Sequence, residues 1–285
     1  MISGFIIAGV VFIQLFILAI VICCILMSKS PRQYFKRVLL NLQPCLPGQG
    51  FKYEIAEVIN RSQKCDAELI LSTVLFGKTL NDKSKHDRYV KPLIKSVNKF
   101  NSLEESSRAI YRVYVAPDVP SSVFDELKQL LNVEIFKMKH PPVGYELTQC
   151  RYLPCSDDPH KYVLSIDADD ELNADVFETL DKWKTSKKPF YYKKHAMSLF
   201  RPLTAGRIGF GPGSMLDMRT RLGKYNDSSF GCDELFLKAE VWPQLKKHGA
   251  YTTKEDPATG AWILLITVFI IVNVGVLALL IYKRK

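Results

Sequence analysis

The sequence predicts an α/β fold: a mostly parallel sheet flanked by helices, with a transmembrane helix at each end. Three observations lead there. Short apolar runs rich in β-branched residues alternate with helix-period segments between residues 68 and 166, the pattern of strands joined by crossover helices. A long uncharged stretch sits near each end of the chain. An acidic cluster follows the fourth apolar run directly, at the strand end where such sheets bind ligands.

The first uncharged stretch runs from about Ile2 to Met27, and roughly 20 apolar residues suffice to cross a bilayer core. A cleaved signal peptide would open on basic residues and close on small ones. Met1 to Gly4 carries no basic side chain, and Cys23 to Met27 has no Ala-x-Ala pattern. Residues 1–27 therefore read as an uncleaved anchor. Residues 28–50 are basic and then carry Pro31, Pro44, Pro47, Gly48 and Gly50, the composition of a stalk. Residues 51–258 follow as one domain with enough chain for a full core. The second uncharged stretch, 261–282, runs into the basic tail Lys283, Arg284 and Lys285 (283–285), which suits a helix stopping at a headgroup layer.

Within the domain, Glu68 to Phe76 is an apolar run closed by Gly77, a buried strand by its length and branching. Asp87 to Phe100 places Tyr89, Leu93, Ile94, Val97 and Phe100 at helical spacing. Ala109 to Val115 is a second strand, ended by Pro117-Asp118, and Val123 to Leu131 an amphipathic helix with Ser121 or Ser122 as its cap. Val133 to Met138 is a third strand, Tyr145 to Leu153 a helix, and Lys161 to Ile166 a fourth strand.

The formal net charge is +10. The lysines are scattered, and no stacked Phe/Tyr motif of an RNA-binding sheet occurs, so no nucleic-acid partner is expected. The excess is a solvated basic surface that favours anionic membranes or nucleotide phosphates. Membrane side is contested: Lys29, Arg32, Lys36 and Arg37 place the domain in the cytosol by the positive-inside rule, whereas the basic tail argues the reverse. Cys45, Cys65, Cys150, Cys155 and Cys232 show no metal-binding spacing. Cys150 and Cys155 fit either a small disulfide or two buried free thiols. Asn60-Arg61-Ser62 and Asn226-Asp227-Ser228 are glycosylation sequons.

The chemistry concentrates in Asp167-Ala168-Asp169-Asp170. Alternate residues of an extended segment point the same way, so Asp167 and Asp169 share one target. Two such carboxylates repel unless a cation lies between them, and hard oxygen ligands suit Mn²⁺ or Mg²⁺, which also bind a diphosphate. An EF-hand spacing is present from Asp167 to Glu178, but Leu172 stands where the loop needs Gly and a strand precedes it. An inert acidic turn and an Asp-x-Asp phosphoryl-transfer or nuclease site stay open at this point. There is no Gly-x-x-x-x-Gly-Lys-Ser/Thr loop, no Gly-x-Ser-x-Gly elbow and no His-Glu-x-x-His.

Tyr162-Val-Leu-Ser-Ile-Asp-Ala-Asp169 resembles the Asp-x-Asp strand of GT-A-fold nucleotide-sugar glycosyltransferases. Cys150-Arg151-Tyr152-Leu153-Pro154 is similar to their Arg-Phe-Leu-Pro-like segment, and Lys194-His195 with Pro202 to Gly209 to the stretch that shapes the acceptor side. Phe230-Gly-Cys-Asp-Glu-Leu-Phe-Leu237, followed by Val241-Trp-Pro243, resembles their Tyr-Gly-x-Asp-Glu/Gln-x-Phe-Leu block. The ordered set spans roughly residues 66–248; Gly209-Phe-Gly-Pro-Gly213 is looser than the family pattern.

The resemblance implies a GT-A-like sheet and a membrane-bound, metal-dependent transferase of an endomembrane, ER or Golgi in type. It would move sugar from a UDP- or GDP-sugar to a glycan, lipid or protein hydroxyl with Mn²⁺ or Mg²⁺. Asp167 and Asp169 would hold the metal and diphosphate; Arg151 would bind the diphosphate, the alternative being a surface Arg on a helix; and His248 would add a late metal ligand, the alternative being a solvated His among Lys246 and Lys247. Ser72, Thr73 and Asp118, at the expected ends of the first two strands, would form the nucleoside edge. Asp233 and Glu234 are candidates for the general base or for orienting the acceptor; the alternative is a helix-start pair favourable to the dipole. Gly206 and Gly209 would let substrate approach the backbone. The rival reading is a non-catalytic membrane protein that keeps the fold, motivated by the second anchor and the looser glycine stretch.

Overall fold

A computed structural model describes residues 52–254 except 61–65, 78–79, 81, 143–144, 171, 173–174, 195–202, 204 and 225–230. The expected anchors, the stalk 28–50, the basic tail, Cys45, Cys65, His195, Pro202, the Asn226 sequon and Phe230 lie outside the described residues. No described helix is long and apolar enough to cross a membrane.

Chain order is β1 (Ile55–Asn60), β2 (Leu69–Leu75), α1 (Lys91–Asn101), β3 (Ala109–Val115), α2 (Ser121–Lys128), β4 (Val133–Met138), α3 (Pro154–Asp157), β5 (Tyr162–Ser165), α4 (Asp175–Ser186), β6 (Phe190–Lys194), β7 (Ile208–Phe210), α5 (Met218–Leu222), α6 (Cys232–Phe236), α7 (Trp242–His248) and β8 (Ala250–Lys254). A π-type turn, His86–Val90, leads into α1, and a 3₁₀ helix, Glu146–Tyr152, precedes α3. The strands form one eight-stranded sheet in the order β1-β4-β3-β2-β5-β7-β6-β8. β4, β3, β2 and β5 are parallel, β1 runs antiparallel to β4, β7 is antiparallel to both its neighbours, and β8 is parallel to β6.

The four expected strands form the parallel block. Every residue of β2 and β3 is buried, as continuous apolar runs between two helical layers should be. Phe100 of α1 meets Tyr111 at 6.0 Å and Phe177 of α4 at 6.2 Å, while Trp183 of α4 meets Tyr162 at 4.8 Å. On the opposite face Tyr152 packs 5.8 Å from Phe210 of β7 and 5.8 Å from Phe236 of α6. Buried Arg112 on β3 ties the layers together, donating to Glu134 on β4 at 2.7 Å and to Asp158 after α3 at 2.6 Å.

Three expectations need correction. β2 continues to Leu75, so Ser72 and Thr73 lie inside the strand rather than at its end, and both are fully buried. The segment after β5 is not extended: the Asp170 N–H donates to the Asp167 carbonyl at 3.0 Å, closing a turn, so the alternation rule does not govern Asp167 and Asp169. Helix α2 is capped by Pro120, with no side-chain cap from Ser121 or Ser122. Between the two options for the thiols, the structure shows Cys150 and Cys155 buried and free, as is Cys232.

Candidate functional site

β5 ends at Ser165, and the chain then turns, placing Asp167 and Asp169 at the carboxyl end of the parallel block. This is the edge where helix and loop termini converge in an open α/β sheet. The 3₁₀ helix 146–152 packs beside it with all seven side chains buried. Arg151 is therefore a buried cation, and the groups around it explain why burial is tolerated. Its Nε–H donates to the Thr148 carbonyl at 2.8 Å, and one Nη to the Asp167 carboxylate at 2.5 Å. Its other Nη lies 3.7 Å from Asp233 Oδ2.

Two carboxylates from different segments thus converge on the Arg151 guanidinium of the 3₁₀ helix: Asp167 from the β5 turn and Asp233 from α6. Removing charged groups from water is costly unless they are paired and hydrogen-bonded. Burial pulls the Arg151 guanidinium toward deprotonation, but the Asp167 and Asp233 carboxylates more than reverse this and its pKa is raised.

Asp233 sits in the first turn of α6, entered through Gly231 at φ 86°, a left-handed geometry that favours glycine. Its Oδ1 accepts the Glu234 N–H at 2.9 Å. Burial raises its pKa, Arg151 opposes that, and Asp167 adds to it. The Cys232 thiol fixes the start of α6 against the 3₁₀ helix by donating to the Tyr145 carbonyl at 3.2 Å. Glu234 is half-buried beside Asp233.

The two Asp-x-Asp carboxylates differ. Asp167 is 46% exposed at its side chain and Asp169 is exposed. Both act on the Tyr89 phenol, whose pKa is raised first by burial and also by Asp169 and Asp167. Asp170 closes the turn from below: its Oδ2 accepts the Asp167 N–H at 3.3 Å and faces Arg207 Nε at 3.5 Å. Gly206 leaves the room Asp167 needs, since a Cβ there would lie 2.5 Å from Asp167 Oδ2. Gly209 serves packing instead; a Cβ there would strike the Trp183 ring at 2.7 Å. At the mouth, Phe76 and Tyr145 meet edge-on at 5.8 Å, and Arg88 stacks 5.1 Å over Tyr89. Sequence reading assigned no role to Tyr145 and took Tyr89 as a packing position on its helix. Neither carries a local signal of the site, because only the sheet brings them to Asp167.

Asp118 lies in the turn after β3, its Oδ1 accepting the Gly77 N–H at 3.2 Å, so it joins the carboxyl ends of β2 and β3. Ser72 and Thr73 present no surface there; their hydroxyls are buried without a hydrogen-bond partner. His248 is the clearest correction. It ends α7 and precedes β8, which is parallel to β6 and starts level with Phe190, Phe210 and Val163. Asp167 lies beyond that row and His248 before it, three strands apart, so about 14 Å at ~4.8 Å per strand separates them before any offset along the strands. His248 and Asp167 cannot share a metal ion.

Among the described residues no group of three or more His, Cys, Asp or Glu side chains is arranged to hold a metal. The donor set left is two solvent-facing carboxylates on one turn. A hard divalent cation takes one or two carboxylates and fills its shell from phosphates and water; of the two here, Asp167 is held by Arg151 and Asp169 is exposed.

Neither a protein-family model nor a curated protein sequence matches this chain. Similar solved structures are of residues 1–349 of S. aureus TarS. They are TarS alone (TM-score 0.46, 11% identity, 66% of this chain and 58% of that one), with UDP (0.43, 12%, 67% and 61%) and with UDP-GlcNAc (0.45, 10%, 66% and 59%). The chain thus spans about three-fifths of the length of these structures. Likeness this low carries no inference about chemistry.

Proposed function

We propose that this chain is a membrane-anchored glycosyltransferase that moves a sugar from a nucleoside-diphosphate sugar to a hydroxyl acceptor with help from Mn²⁺ or Mg²⁺. The observation that carries this reading is the clasp of Asp167 and Asp233 on buried Arg151 at the carboxyl end of the parallel strands. It joins three of the motif segments that resemble a GT-A transferase, and a chance resemblance gives no reason for them to meet. The apolar segments 1–27 and 261–282 supply the anchors.

In this reading Asp167 and Asp169 hold the cation, which neutralises charge growing on the departing diphosphate when bound. Arg151 positions Asp167 and adds positive charge behind it. Asp233 accepts the proton of the acceptor hydroxyl: burial raises its proton affinity toward that of a useful base, and Arg151 with the Glu234 N–H fixes its orientation. Glu234 orients the acceptor beside it, and Asp118 lies at the nucleoside edge. The test is donor hydrolysis or transfer by the full-length protein across a panel of UDP- and GDP-sugars with Mn²⁺. Absence of binding and turnover with every donor would sink the reading.

One observation favours the non-catalytic alternative. Arg151 already occupies the Asp167 oxygen at 2.5 Å, so the pair is satisfied without any ligand. In that case nucleotide sugars leave the thermal midpoint of the protein unchanged, whereas a donor-binding site raises it through mass action.

A further inference from the structure

The cation that the motifs assign to the diphosphate is already engaged. Arg151 donates through Nε to the Thr148 carbonyl and through one Nη to Asp167, and its other Nη faces Asp233. Arg207 likewise faces Asp170. A diphosphate entering beside Asp167 and Asp169 brings negative charge that neither guanidinium is placed to take up.

The helix after β2 carries another cation to the same end of the sheet. Five residues beyond Gly77, Asp82 caps a helical turn, Lys83–Lys85, by accepting the Ser84 N–H at 2.8 Å. The π-type turn His86–Val90 and α1 follow without a break. α1 then runs back toward the start of β3, as a crossover between parallel strands must, so the π-type turn lies at the carboxyl end with Asp167. The turn has a cause in the sequence. Pro92 has no N–H to give the Arg88 carbonyl, and the Lys91 N–H reaches back to His86 instead. Single π turns of this kind recur at functional sites.

This helix is fastened to the acidic turn. Ser96 Oγ on α1 accepts the Leu172 N–H at 3.2 Å. Tyr89 stands seven residues before Ser96 on the same face, about 10 Å nearer the mouth at ~1.5 Å per residue. Burial raises the pKa of the Tyr89 phenol, Arg88 opposes that, and Asp169, Tyr145 and Asp167 add to it. The half-buried phenol therefore lies among the side chains of the site. Arg88 is exposed and makes no hydrogen bond or ion pair among the described residues. Its guanidinium sits 5.1 Å over the Tyr89 ring, a cation–π contact that orders the side chain while leaving its N–H donors open.

We propose that Arg88 receives the diphosphate of the donor, with the Tyr89 ring as the platform that holds its guanidinium beside Asp167 and Asp169. This rests on the transferase reading above and adds the residue that meets the phosphates. A guanidinium fork can take two phosphate oxygens at once, which a lysine cannot. Lys91, on the same helix, is paired with Asp87 at 2.6 Å and serves as the matched control.

The experiment is calorimetric titration of the full-length protein in Mn²⁺ with UDP and GDP, with uridine and guanosine by competition, and with inorganic pyrophosphate. Arg88→Gln should bind whichever nucleoside diphosphate the parent binds about ten-fold or more weakly, the effect of losing a charge-assisted pair. Its affinity for the matching nucleoside should equal the parent's. Arg88→Lys keeps the charge without the fork and should fall between. Tyr89→Leu should weaken the diphosphate in the same sense, whereas Tyr89→Phe, which keeps the ring, should not. Lys91→Gln removes the same charge from the same helix and should change affinity by less than about two-fold. Diphosphate affinity unchanged in Arg88→Gln, an equal loss in Lys91→Gln, or an equal loss for the nucleoside overturns the inference and leaves the transferase reading standing. If the parent binds no nucleotide, the transferase reading fails and pyrophosphate decides the inference. Pyrophosphate binding that falls about ten-fold in Arg88→Gln sustains a phosphate site at Arg88; binding that is absent, or indifferent to the substitution, overturns it.

Discussion

The cluster at the carboxyl end and the basic corner at the amino ends of β6 and β8 treat charge in opposite ways. At the carboxyl end, Arg151, Asp167, Asp170, Arg207 and Asp233 are wholly or partly buried and bound to one another across four chain segments. At the amino end, Lys187, Lys246, Lys247 and His248 stand in water. Ordering charges against burial costs free energy that scattered surface charges never incur. Paired charge also joins Glu68, Arg108, Asp181 and Lys184 at the amino ends of β2 and β3, so what sets the carboxyl-end cluster apart is that buried Arg151 and Asp233 meet an Asp167 side chain that is 46% exposed. The same contrast can be broken by substitution.

The largest effect is expected from Arg151→Met. It leaves Asp233 buried without its counter-charge, and breaking a buried pair in this way costs about 3 kcal/mol. Urea unfolding should show that loss together with a loss of donor binding. Lys246→Met with Lys247→Met, at the other end, should change stability by less than about 0.5 kcal/mol. Equal effects at the two ends would erase the distinction.

Asp233→Asn comes next. As a general base its loss should slow turnover roughly 10²–10⁴-fold. The sign for stability is the opposite of the usual surface acid. The folded pKa is raised by burial, so the charged form is disfavoured in the fold, and the penalty is absent at low pH and complete above the folded pKa. The Asn variant should therefore be at least as stable as the parent at neutral pH. In the parent, turnover should fall as pH drops through that raised pKa, giving an acid limb above the ordinary aspartate range.

The parallel block was legible from sequence because β2 and β3 are buried throughout, and β4 and β5 are mostly buried, so that all four read as short, largely apolar runs. β1, β6 and β8 were not, because IAEVIN, FYYKK and AYTTK mix charge and apolar groups as strands at or beside a sheet edge do. β7 is three residues long, too short for any periodicity. At the site, Asp167, Asp233 and Arg151 were each singled out by motif, yet the clasp was not legible. An Arg on a predicted helix reads as a surface residue until the fold brings two carboxylates to it. His248 failed for the converse reason: it lies near the end of the motif block in sequence, but the crossover through α7 carries it to the far end of the sheet. The Asp167–Asp170 turn was missed because Asp-x-Asp after a strand reads as a continuation of that strand.

Gly206→Ala should have a smaller effect. Its new Cβ would lie 2.5 Å from Asp167 Oδ2 and push that carboxylate off Arg151, a crowding that typically costs about 1–3 kcal/mol. Donor affinity should weaken more than stability, as a titration of both would show. The smallest effect belongs to His248→Gln, which should leave the metal requirement and turnover unchanged; a raised Mn²⁺ requirement would contradict the strand register.

The central claim is that Asp167 and Asp169, backed by Arg151, bind the diphosphate of a nucleotide sugar through a divalent cation. Calorimetric titration of the full-length protein with UDP- and GDP-sugars, with Mn²⁺ and with EDTA, tests it most directly. At least one donor should bind with Mn²⁺, lose that binding in EDTA, and bind about ten-fold or more weakly, some 1.4 kcal/mol, to Asp167→Asn or Asp169→Asn protein that still unfolds like the parent. Donor binding that is untouched by EDTA and by both substitutions would contradict it.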